Sequence, residues 1–454
     1  PDSFDAPTIM SPVTKSVTHA SGKRILRYTK RELGNKSISV LFGDHQVYYF
    51  TLRYSLHNNN LSTSRIAIAI PPDTNYQKMF YQKIAPAPQT VTLDPDGNWL
   101  AIYILKPNQK LEVSAIGQVI LLLNPNQDTT PSLPAQNYLS SRKYWQTEDP
   151  EIVSLAQQLA TPQNIYNYLV DNLKYNYERI DASTQRLGAQ TALSDPQNAI
   201  CTEFTDLFVA LARASGTPAR SIDGFAFTTN SKLRPLSLKL DILHAWPEYY
   251  DSEKHLWVPV DPTWGNTTGG IDYFSRWDLN HFTFTIHGSN SVTPYPAGAY
   301  KLESTLGKDV NVAPSFSTPI PAPNQEVKFS YLPPPLPFLK SKLIVNVANT
   351  GNVALKDLSV AINAPGYTIS SSPSQVQLLP PYASEDLVVS LTPKLGLADK
   401  ISVTIGDQTY QYEPNKTALF AAPRLYPVIA ITLGGIIAAL SYFTWHLFVL
   451  KRRK

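Results

Sequence analysis

The sequence predicts an α+β fold class, in which a mixed core domain is flanked by two β-sandwich domains and followed by a C-terminal transmembrane helix. Three observations support this prediction. Helical apolar spacing is concentrated in the middle of the chain, period-two alternation occurs on both sides of it, and an uncharged apolar run of 26 residues lies near the end. A chain of 454 residues is long enough for about three domains.

The composition excludes some kinds of partner and of stabilising cross-link. Charged residues make up 16% of the chain, below the average of about 25%, while 38 prolines and 25 tyrosines are typical of β-rich extracellular modules. The net charge of +4 equals the charge of the last four residues, so no basic surface predicts a nucleic-acid partner. A single cysteine excludes an internal disulfide framework.

Residues 1–125 are predicted to form an N-terminal β-sandwich. Strand-like alternation recurs along this stretch, and turn-forming clusters such as 94–98 separate the strands. The clearest predicted strands are 37–41, 46–56, 65–70, 99–105 and 110–123. Residues 126–148 are polar and contain prolines, which predicts a linker.

The core domain is predicted at 149–290. Two short helices open it, because Asp149 and Thr161 each precede a proline, and an N-cap acceptor followed by proline is typical of a helix start. The polar segments 178–198 and 234–241 are predicted to be loops that border the mouth of the site.

Cys201, the only cysteine of the chain, is predicted to open a third helix. Apolar residues recur at helical spacing from Phe204 to Ala212, and Gly216 ends the pattern. With Asn198 as N-cap, the thiol lies in the first turn, where unpaired N–H groups and the helix dipole favour a thiolate. The N–H of Cys201 could also bind an oxyanion.

His244 and Asp261 are predicted to lie side by side on a β-hairpin. Residues 242–250 and 255–261 have strand composition, and 251–254 form a turn cluster. The register that places Tyr250 opposite His255 also places His244 opposite Asp261, with Cβ atoms roughly 4.5–5.5 Å apart. An aspartate in that position can orient an imidazole.

These residues resemble the transglutaminase-like superfamily, whose papain-like core has a cysteine at a helix start and a histidine and an aspartate on neighbouring strands. The matching segments are Cys201, Leu207–Arg220, Gly224–Phe225, His244–Trp246, Trp257 and Asp261–Trp264, within roughly 140 residues. The resemblance implies that Cys201 is the nucleophile, His244 the base and Asp261 the orienting acid. It implies a protein or peptide substrate, and the chemistry requires no cofactor.

Other candidate side chains are assigned to packing or to solvent. Trp246, Trp257 and Trp264 are interpreted as core residues rather than substrate platforms. His281 and His287 lie beyond the hairpin and have no evident partner in the sequence, so no metal ligand is assigned.

The C-terminal third is predicted to lift the core away from a membrane. Residues 291–325 are read as a spacer, 326–412 as an Ig-like β-sandwich, and 413–424 as a stalk. The apolar run 425–450 is long enough to span a bilayer, and the basic residues 451–454 predict a cytoplasmic end. Residues 1–424 are then expected on the extracytoplasmic side, with a signal peptide removed or excluded because none is visible.

The sequence therefore predicts a membrane-anchored, extracytoplasmic cysteine enzyme that forms a thioester on protein or peptide amides. An amine would resolve the thioester by transamidation, and water by hydrolysis. The second hypothesis is a catalytically silent surface binding or scaffold protein, favoured by the two β domains and by the absence of glycine immediately before Cys201. A third is a metal-dependent site in the same cleft.

Overall fold

The structure, a computed structural model, divides into two units, Pro1–Ala322 and Pro323–Lys454. It describes residues 43–126, 138–180, 184–228, 241, 243–269, 271–300, 307–332, 340–393, 400–414 and 431–446, together with the backbone of four short strands within 8–41 and of one helix that extends beyond 431–446 at both ends.

The first unit contains helices and antiparallel strands. Its helices are α1 (Pro150–Leu159), α2 (Pro162–Asn172), α3 (Ala189–Ser194), α4 (Cys201–Ala214) and α5 (Pro262–Thr267). Its strands are β1 (Thr8–Ile9), β2 (Ser16–Ala20), β3 (Lys23–Arg27), β4 (Val40–Leu41), β5 (His45–His57), β6 (Ser64–Ile70), β7 (Gln77–Ala85), β8 (Thr90–Leu93), β9 (Trp99–Leu105), β10 (Lys110–Leu122), β11 (Ala219–Ala226), β12 (His244–Asp251), β13 (Leu256–Pro259), β14 (His281–His287) and β15 (Val310–Pro314).

The N-terminal part is built on long antiparallel pairs. One sheet has the order β15-β5-β10-β7 and another the order β6-β9-β8, while β1 pairs with β4 and β2 with β3. The predicted strands at 46–56, 65–70, 99–105 and 110–123 are confirmed within a few residues. Of the predicted strand at 37–41, only 40–41 form a strand in the described part of the chain.

Strand β15 corrects the prediction that 291–325 is only a spacer. Val310 pairs with Leu52 and Pro314 with Tyr48, so the chain returns to the edge of the N-terminal sheet. The predicted linker 126–148 also differs from the structure where it is described. Trp145 is fully buried, and its indole N–H donates to Asp206 of α4 at 2.8 Å.

The core domain packs helices against an antiparallel sheet of order β13-β12-β11-β14. Helix α4 is buried over most of its length because its apolar residues pack against α1, α2 and the sheet. Asp149 and Thr161 cap α1 and α2 as predicted, and each side-chain oxygen accepts a backbone N–H of the first turn.

The N-terminal sheets are joined to β14 by buried polar side chains. The Gln77 amide bonds the N–H and the C=O of Thr283 at 2.9 and 3.0 Å, and the Asn98 amide bonds those of Ile286 at 2.7 Å each. These side chains replace the backbone partners of a neighbouring strand. The position of β14 therefore depends on residues far away in the sequence.

The second unit contains two four-stranded antiparallel sheets, of orders β16-β17-β21-β19 and β20-β18-β22-β23. Its strands are β16 (Gln325–Leu332), β17 (Ser341–Asn349), β18 (Leu355–Asn363), β19 (Tyr367–Ser371), β20 (Gln375–Leu379), β21 (Ser384–Pro393), β22 (Ile401–Ile405) and β23 (Gln408–Tyr412). Alternate residues of β17 and β22 are buried, as expected when one face of each sheet packs inward. Asn349 begins the predicted Asn-x-Gly turn, and its side-chain oxygen accepts the N–H of Gly351 at 2.9 Å.

The C-terminal helix α6 spans Leu425–Lys451, and its side chains are described for 431–446. A helix long and apolar enough to cross a membrane is not found in the described residues. The transmembrane prediction for 425–450 is therefore not supported by them. Most of the predicted stalk 413–424, most of the predicted loop 234–241 and residues 452–454 lie outside the described residues.

Candidate active site

Cys201 is the first residue of α4, as predicted, but the N-cap differs. Ile200 occupies the N-cap position, and its backbone N–H donates to the Glu203 carboxylate at 3.0 Å. The predicted cap, Asn198, instead accepts a hydrogen bond from Asn176 at 2.7 Å. Although the helix begins two residues later than an Asn198 cap would give, the Cys201 thiol is still in the first turn. The N–H groups there have no intrahelical acceptor.

Two buried carboxylates of α4 bind the loop that precedes this helix. Glu203 also accepts the N–H of Leu187 at 2.8 Å and pairs with Arg179 at 3.1 Å. Asp206, one turn later, pairs with Arg186. Because both carboxylates are fully buried, their charges require these partners. The described residues of the predicted loop 178–198 are thus held against the start of α4.

His244 and Asp261 meet as predicted, although the predicted hairpin register is wrong. Tyr250 pairs with Trp257 rather than with His255, so the true register is shifted by two residues. A shift of two preserves which face each side chain occupies. Asp261 has left the strand and is the N-cap of α5, from where its Oδ2 lies 2.8 Å from Nε2 of His244.

Asp261 is fully buried and positioned by several hydrogen bonds. Its Oδ1 accepts the N–H of Trp264 at 2.9 Å, and its own N–H donates to the carbonyl of Tyr273 at 3.2 Å. Burial acts to raise the pKa of this carboxyl, but the rings of His244 and His281 outweigh burial and hold the pKa well below its usual range. Asp261 is therefore ionised across the physiological range.

His244 connects the carboxylate to the thiol. Burial acts to lower the pKa of its ring, but the Asp261 carboxylate and hydrogen bonding with Asp261 and Cys201 raise the pKa to about 9. Since Nε2 lies against Oδ2 of Asp261, Nδ1 is the ring nitrogen left to interact with Cys201. The side chain of His244 is 11% exposed and Cys201 is 9% exposed, whereas Asp261 is inaccessible. Cys201 and His244 therefore lie nearest to solvent, and Asp261 lies in the interior.

His281 is a residue of the site that the sequence analysis missed. Its Nε2 lies 3.1 Å from the same Oδ2 of Asp261, and its Nδ1 lies 2.7 Å from Oδ1 of Asp278. The Asp-x-x-His spacing was a signal that could have indicated a partner for it. His287, in contrast, lies at the other end of β14, where its ring bonds the carbonyl of Pro294 at 2.9 Å.

The two histidines lie on either side of β11. His244 pairs with Gly224 and His281 with Ala226, two residues apart, so their side chains share one face of the sheet. Their ring centroids are 5.6 Å apart. Gly224 is required here, since a Cβ would come within 2.2 Å of the carbonyl oxygen of Phe282.

Tryptophans enclose both imidazoles. Trp246 and Trp264 lie nearly parallel to His244, with ring centroids 5.9 and 5.5 Å away, and Trp277 lies 4.3 Å from His281. Trp246 and Trp264 are almost fully buried, which agrees with the prediction that they are core residues. Their faces also favour a positively charged ring.

His244, Asp261 and His281 also form a cluster of side chains that could bind a metal ion, which the hypothesis of a metal-dependent site requires. Their ligand atoms lie within 4.8 Å of one another, and nitrogen and carboxylate oxygen are donors that zinc accepts. However, Asp261 Oδ2 lies 2.8 and 3.1 Å from the two ring nitrogens, whereas tetrahedral ligands at zinc-bond lengths are about 3.4 Å apart. The distances are those of hydrogen bonds.

Part of the chain matches a known protein family. A model of the transglutaminase-like superfamily matches residues 150–262. No curated protein sequence matches the chain. Among solved structures, the chain is similar to a candidate cysteine protease from Cytophaga hutchinsonii, at 15% identity over 61% of this chain and 93% of that chain, with a TM-score of 0.40.

Two further structures are similar at lower scores. The periplasmic domain of TgpA from Pseudomonas aeruginosa is 16% identical over 51% of this chain and 94% of its own, with a TM-score of 0.27. Red sea bream transglutaminase is 12% identical over 84% and 80%, with a TM-score of 0.23. Residues 150–262, which contain the thiol, the imidazole and the carboxylate of this site, form a domain of the transglutaminase-like superfamily.

Proposed function

We propose that the chain is a cysteine acyltransferase or hydrolase that forms a thioester between Cys201 and the acyl group of a protein or peptide amide. One observation carries the proposal: the His244 ring interacts with Cys201, the first residue of α4, and its Nε2 lies 2.8 Å from the buried Oδ2 of Asp261. A nucleophile, a proton carrier and an orienting acid in this order are what acyl transfer needs.

Acylation uses the positive charge on His244. With its pKa raised to about 9, the ring is an imidazolium at neutral pH and stabilises a neighbouring thiolate. The sulfur attacks the amide carbon, a C–S bond forms, and the carbonyl electron pair moves onto oxygen near the first N–H groups of α4. Collapse breaks the C–N bond, and His244 gives its proton to the leaving nitrogen.

Deacylation runs through the now neutral His244. The ring takes a proton from an incoming amine or water, whose lone pair attacks the thioester carbon. The C–S bond breaks, and the thiolate and the imidazolium are restored. Asp261 stays ionised throughout and keeps one ring nitrogen directed at the sulfur. Amine as acceptor gives transamidation, and water gives hydrolysis or deamidation.

The proposal is tested with p-nitrophenyl acetate, since this ester requires no recognition of a peptide. The full chain in detergent should release nitrophenolate in a burst of one equivalent per active site, followed by slower turnover as the acetyl-thioester breaks down. Cys201→Ala should abolish the burst. Adding biotinylated pentylamine should raise the turnover rate if amines resolve the thioester, and should not change it if only water does.

The same experiment distinguishes the alternative hypothesis. Two results together would contradict the proposal: the wild-type chain shows no burst, and iodoacetamide alkylates Cys201 no faster than a free cysteine in a peptide. That result would instead favour a binding or scaffold protein that retains the fold. With a burst established, dimethylcasein as glutamine donor, with the same amine, tests whether proteins are substrates.

The proposal also includes an extracytoplasmic location with membrane attachment, which rests on sequence alone. The uncharged run 425–450 followed by the basic residues 451–454 supports it. The test is expression of the full chain and of residues 1–424 in the cell of origin. Carbonate-resistant sedimentation of the first and its loss in the second are expected, and sedimentation of neither would overturn this part.

A further inference from the structure

His281 is held between two carboxylates in the interior of the protein. Its side chain is fully inaccessible, Nε2 lies 3.1 Å from Asp261 Oδ2, and Nδ1 lies 2.7 Å from Asp278 Oδ1. A carboxylate can only accept hydrogen bonds, so each ring nitrogen must carry a proton. An imidazole with both nitrogens protonated is an imidazolium.

The surroundings of His281 favour this charged form. The ring centroids of Trp264 and Trp277 lie 4.5 and 4.3 Å from that of His281, within the range in which an aromatic ring attracts a cation. The titratable groups that face it are Asp261 from α5, Asp278 and Tyr273 from the segment before β14, and His244 from β12. Burial acts to lower the pKa of His281, but the two carboxylates outweigh burial and raise it to about 9.

The charges of the site therefore alternate. In order of contact they are the Asp278 carboxylate, the His281 imidazolium, the Asp261 carboxylate and the ring of His244, which ends at Cys201. Each buried charge has an opposite neighbour within hydrogen-bond distance. Without His281, Asp261 Oδ2 would keep a single side-chain donor and could turn away from the line between the two rings.

His281 is in turn fixed by the N-terminal sheet. Tyr48 of β5 donates to the carbonyl of Leu279 and to Asn280, each at 3.2 Å, and Phe50 packs on Phe282 with ring centroids 5.5 Å apart. These contacts hold the residues on both sides of His281 in the sequence. The N-terminal strands thereby contribute to the geometry of a site that contains none of their residues.

We propose that His281 is a positioning residue of the active site, an imidazolium that fixes the ionised carboxylate of Asp261 in the orientation that holds His244. This inference rests on the proposed function, because its consequence is the reactivity of Cys201. His281 and Asp278 lie outside residues 150–262, so the superfamily match does not include them. In metal sites, removing a side chain that orients a ligand by a hydrogen bond lowers activity about 10- to 100-fold, and we expect an effect of similar size here.

The test compares His281→Gln with a matched control, His287→Gln. Glutamine keeps an N–H donor of similar length but has no charge. We expect the rate constant for iodoacetamide alkylation of Cys201 at pH 7 to fall about 10-fold or more in His281→Gln. His287 is equally buried on the same strand, but its ring does not bond Asp261. We therefore expect His287→Gln to alkylate like the wild type.

Two further measurements are made on the wild-type chain, and Asp278→Asn is then compared with it. In the wild-type full chain with ¹⁵N-labelled histidine, the NMR signals of His281 should show both nitrogens protonated at pH 7. The contribution of His281 protonation to the free energy of unfolding should be fully present below about pH 6.5. It should be lost as the pH rises through about 9, because the pKa of His281 is raised in the folded state. Asp278→Asn keeps the side-chain shape and should lower the pH of that loss.

The outcomes separate this inference from the proposed function. If His244→Ala alkylates at the wild-type rate, the proposed function is wrong, whatever His281 does. If His244→Ala is slow while His281→Gln matches the wild type, only the positioning role is overturned. A neutral His281 ring at pH 7 in the NMR spectrum would also overturn it.

Discussion

Replacing His244 by alanine is expected to lower the rate of amide acyl transfer by about 10³-fold or more. The variant loses both the proton donor for the leaving nitrogen and the positive charge beside the sulfur, and positioned acid–base catalysis contributes about 10²–10⁴-fold. The measurement is incorporation of biotinylated pentylamine, or release of product by water, with whichever acceptor the ester assay identifies.

A second measurement on this variant requires no substrate. The pH–rate profile of iodoacetamide alkylation of Cys201 should differ between the wild type and His244→Ala, with the wild type faster at neutral pH, because the variant lacks the charged ring beside the sulfur. The control is His255→Asn, at an exposed turn position with φ of 54°, a conformation that asparagine tolerates. Equal profiles in the wild type and His244→Ala would contradict the proposed pairing.

Replacing Asp261 by alanine is expected to lower the free energy of unfolding by about 3–5 kcal/mol, because removing one partner of a buried ion pair leaves the other charge uncompensated. Here two imidazole rings lose their shared acceptor, and the N–H of Trp264 loses its cap. Urea unfolding at pH 7 with and without the substitution measures the difference. Asp171→Ala, at an exposed position of α2, should change stability by less than about 0.5 kcal/mol.

Asp261→Asn separates the structural role of this residue from its catalytic role. The amide oxygen can still accept the N–H of Trp264, so a smaller loss of stability is expected. However, an amide nitrogen cannot accept hydrogen bonds from the rings, and loss of an orienting aspartate costs about 10⁴-fold in a serine protease triad. A stable Asp261→Asn protein with nearly full activity would show that Asp261 is only a helix cap.

The sequence carried enough information to predict which residues form the candidate site. Cys201 is unique, His244 begins a strand of aromatic residues, and Asp261 follows the paired strand, so few combinations were possible. The predicted register was shifted by two residues, and Asp261 is the N-cap of α5 rather than a strand residue opposite His244. The predicted meeting of the two side chains is nevertheless found, because α5 begins directly after the paired strand and directs the carboxylate at the ring.

The helix starts were predictable for a similar reason. Asp149 and Thr161 bond N–H groups two or three residues away, and such local contacts depend on few neighbours. The predicted cap of the cysteine helix was wrong, because the helix begins two residues later than an Asn198 cap requires. Ile200 is the N-cap, and its own N–H donates to the Glu203 carboxylate.

The partner of His281 could be decided only by the tertiary structure. His281 and Asp261 are twenty residues apart and belong to elements on different sides of β11, and the position of β14 is set by Gln77 and Asn98, about 200 residues earlier. Hydrophobic periodicity reports which residues are buried, but not which buried polar groups meet. The sequence by itself determined the candidate nucleophile, its helix and the order of the candidate site residues; the second imidazole and its two carboxylates required the fold, because their hydrogen bonds join segments that only packing brings together.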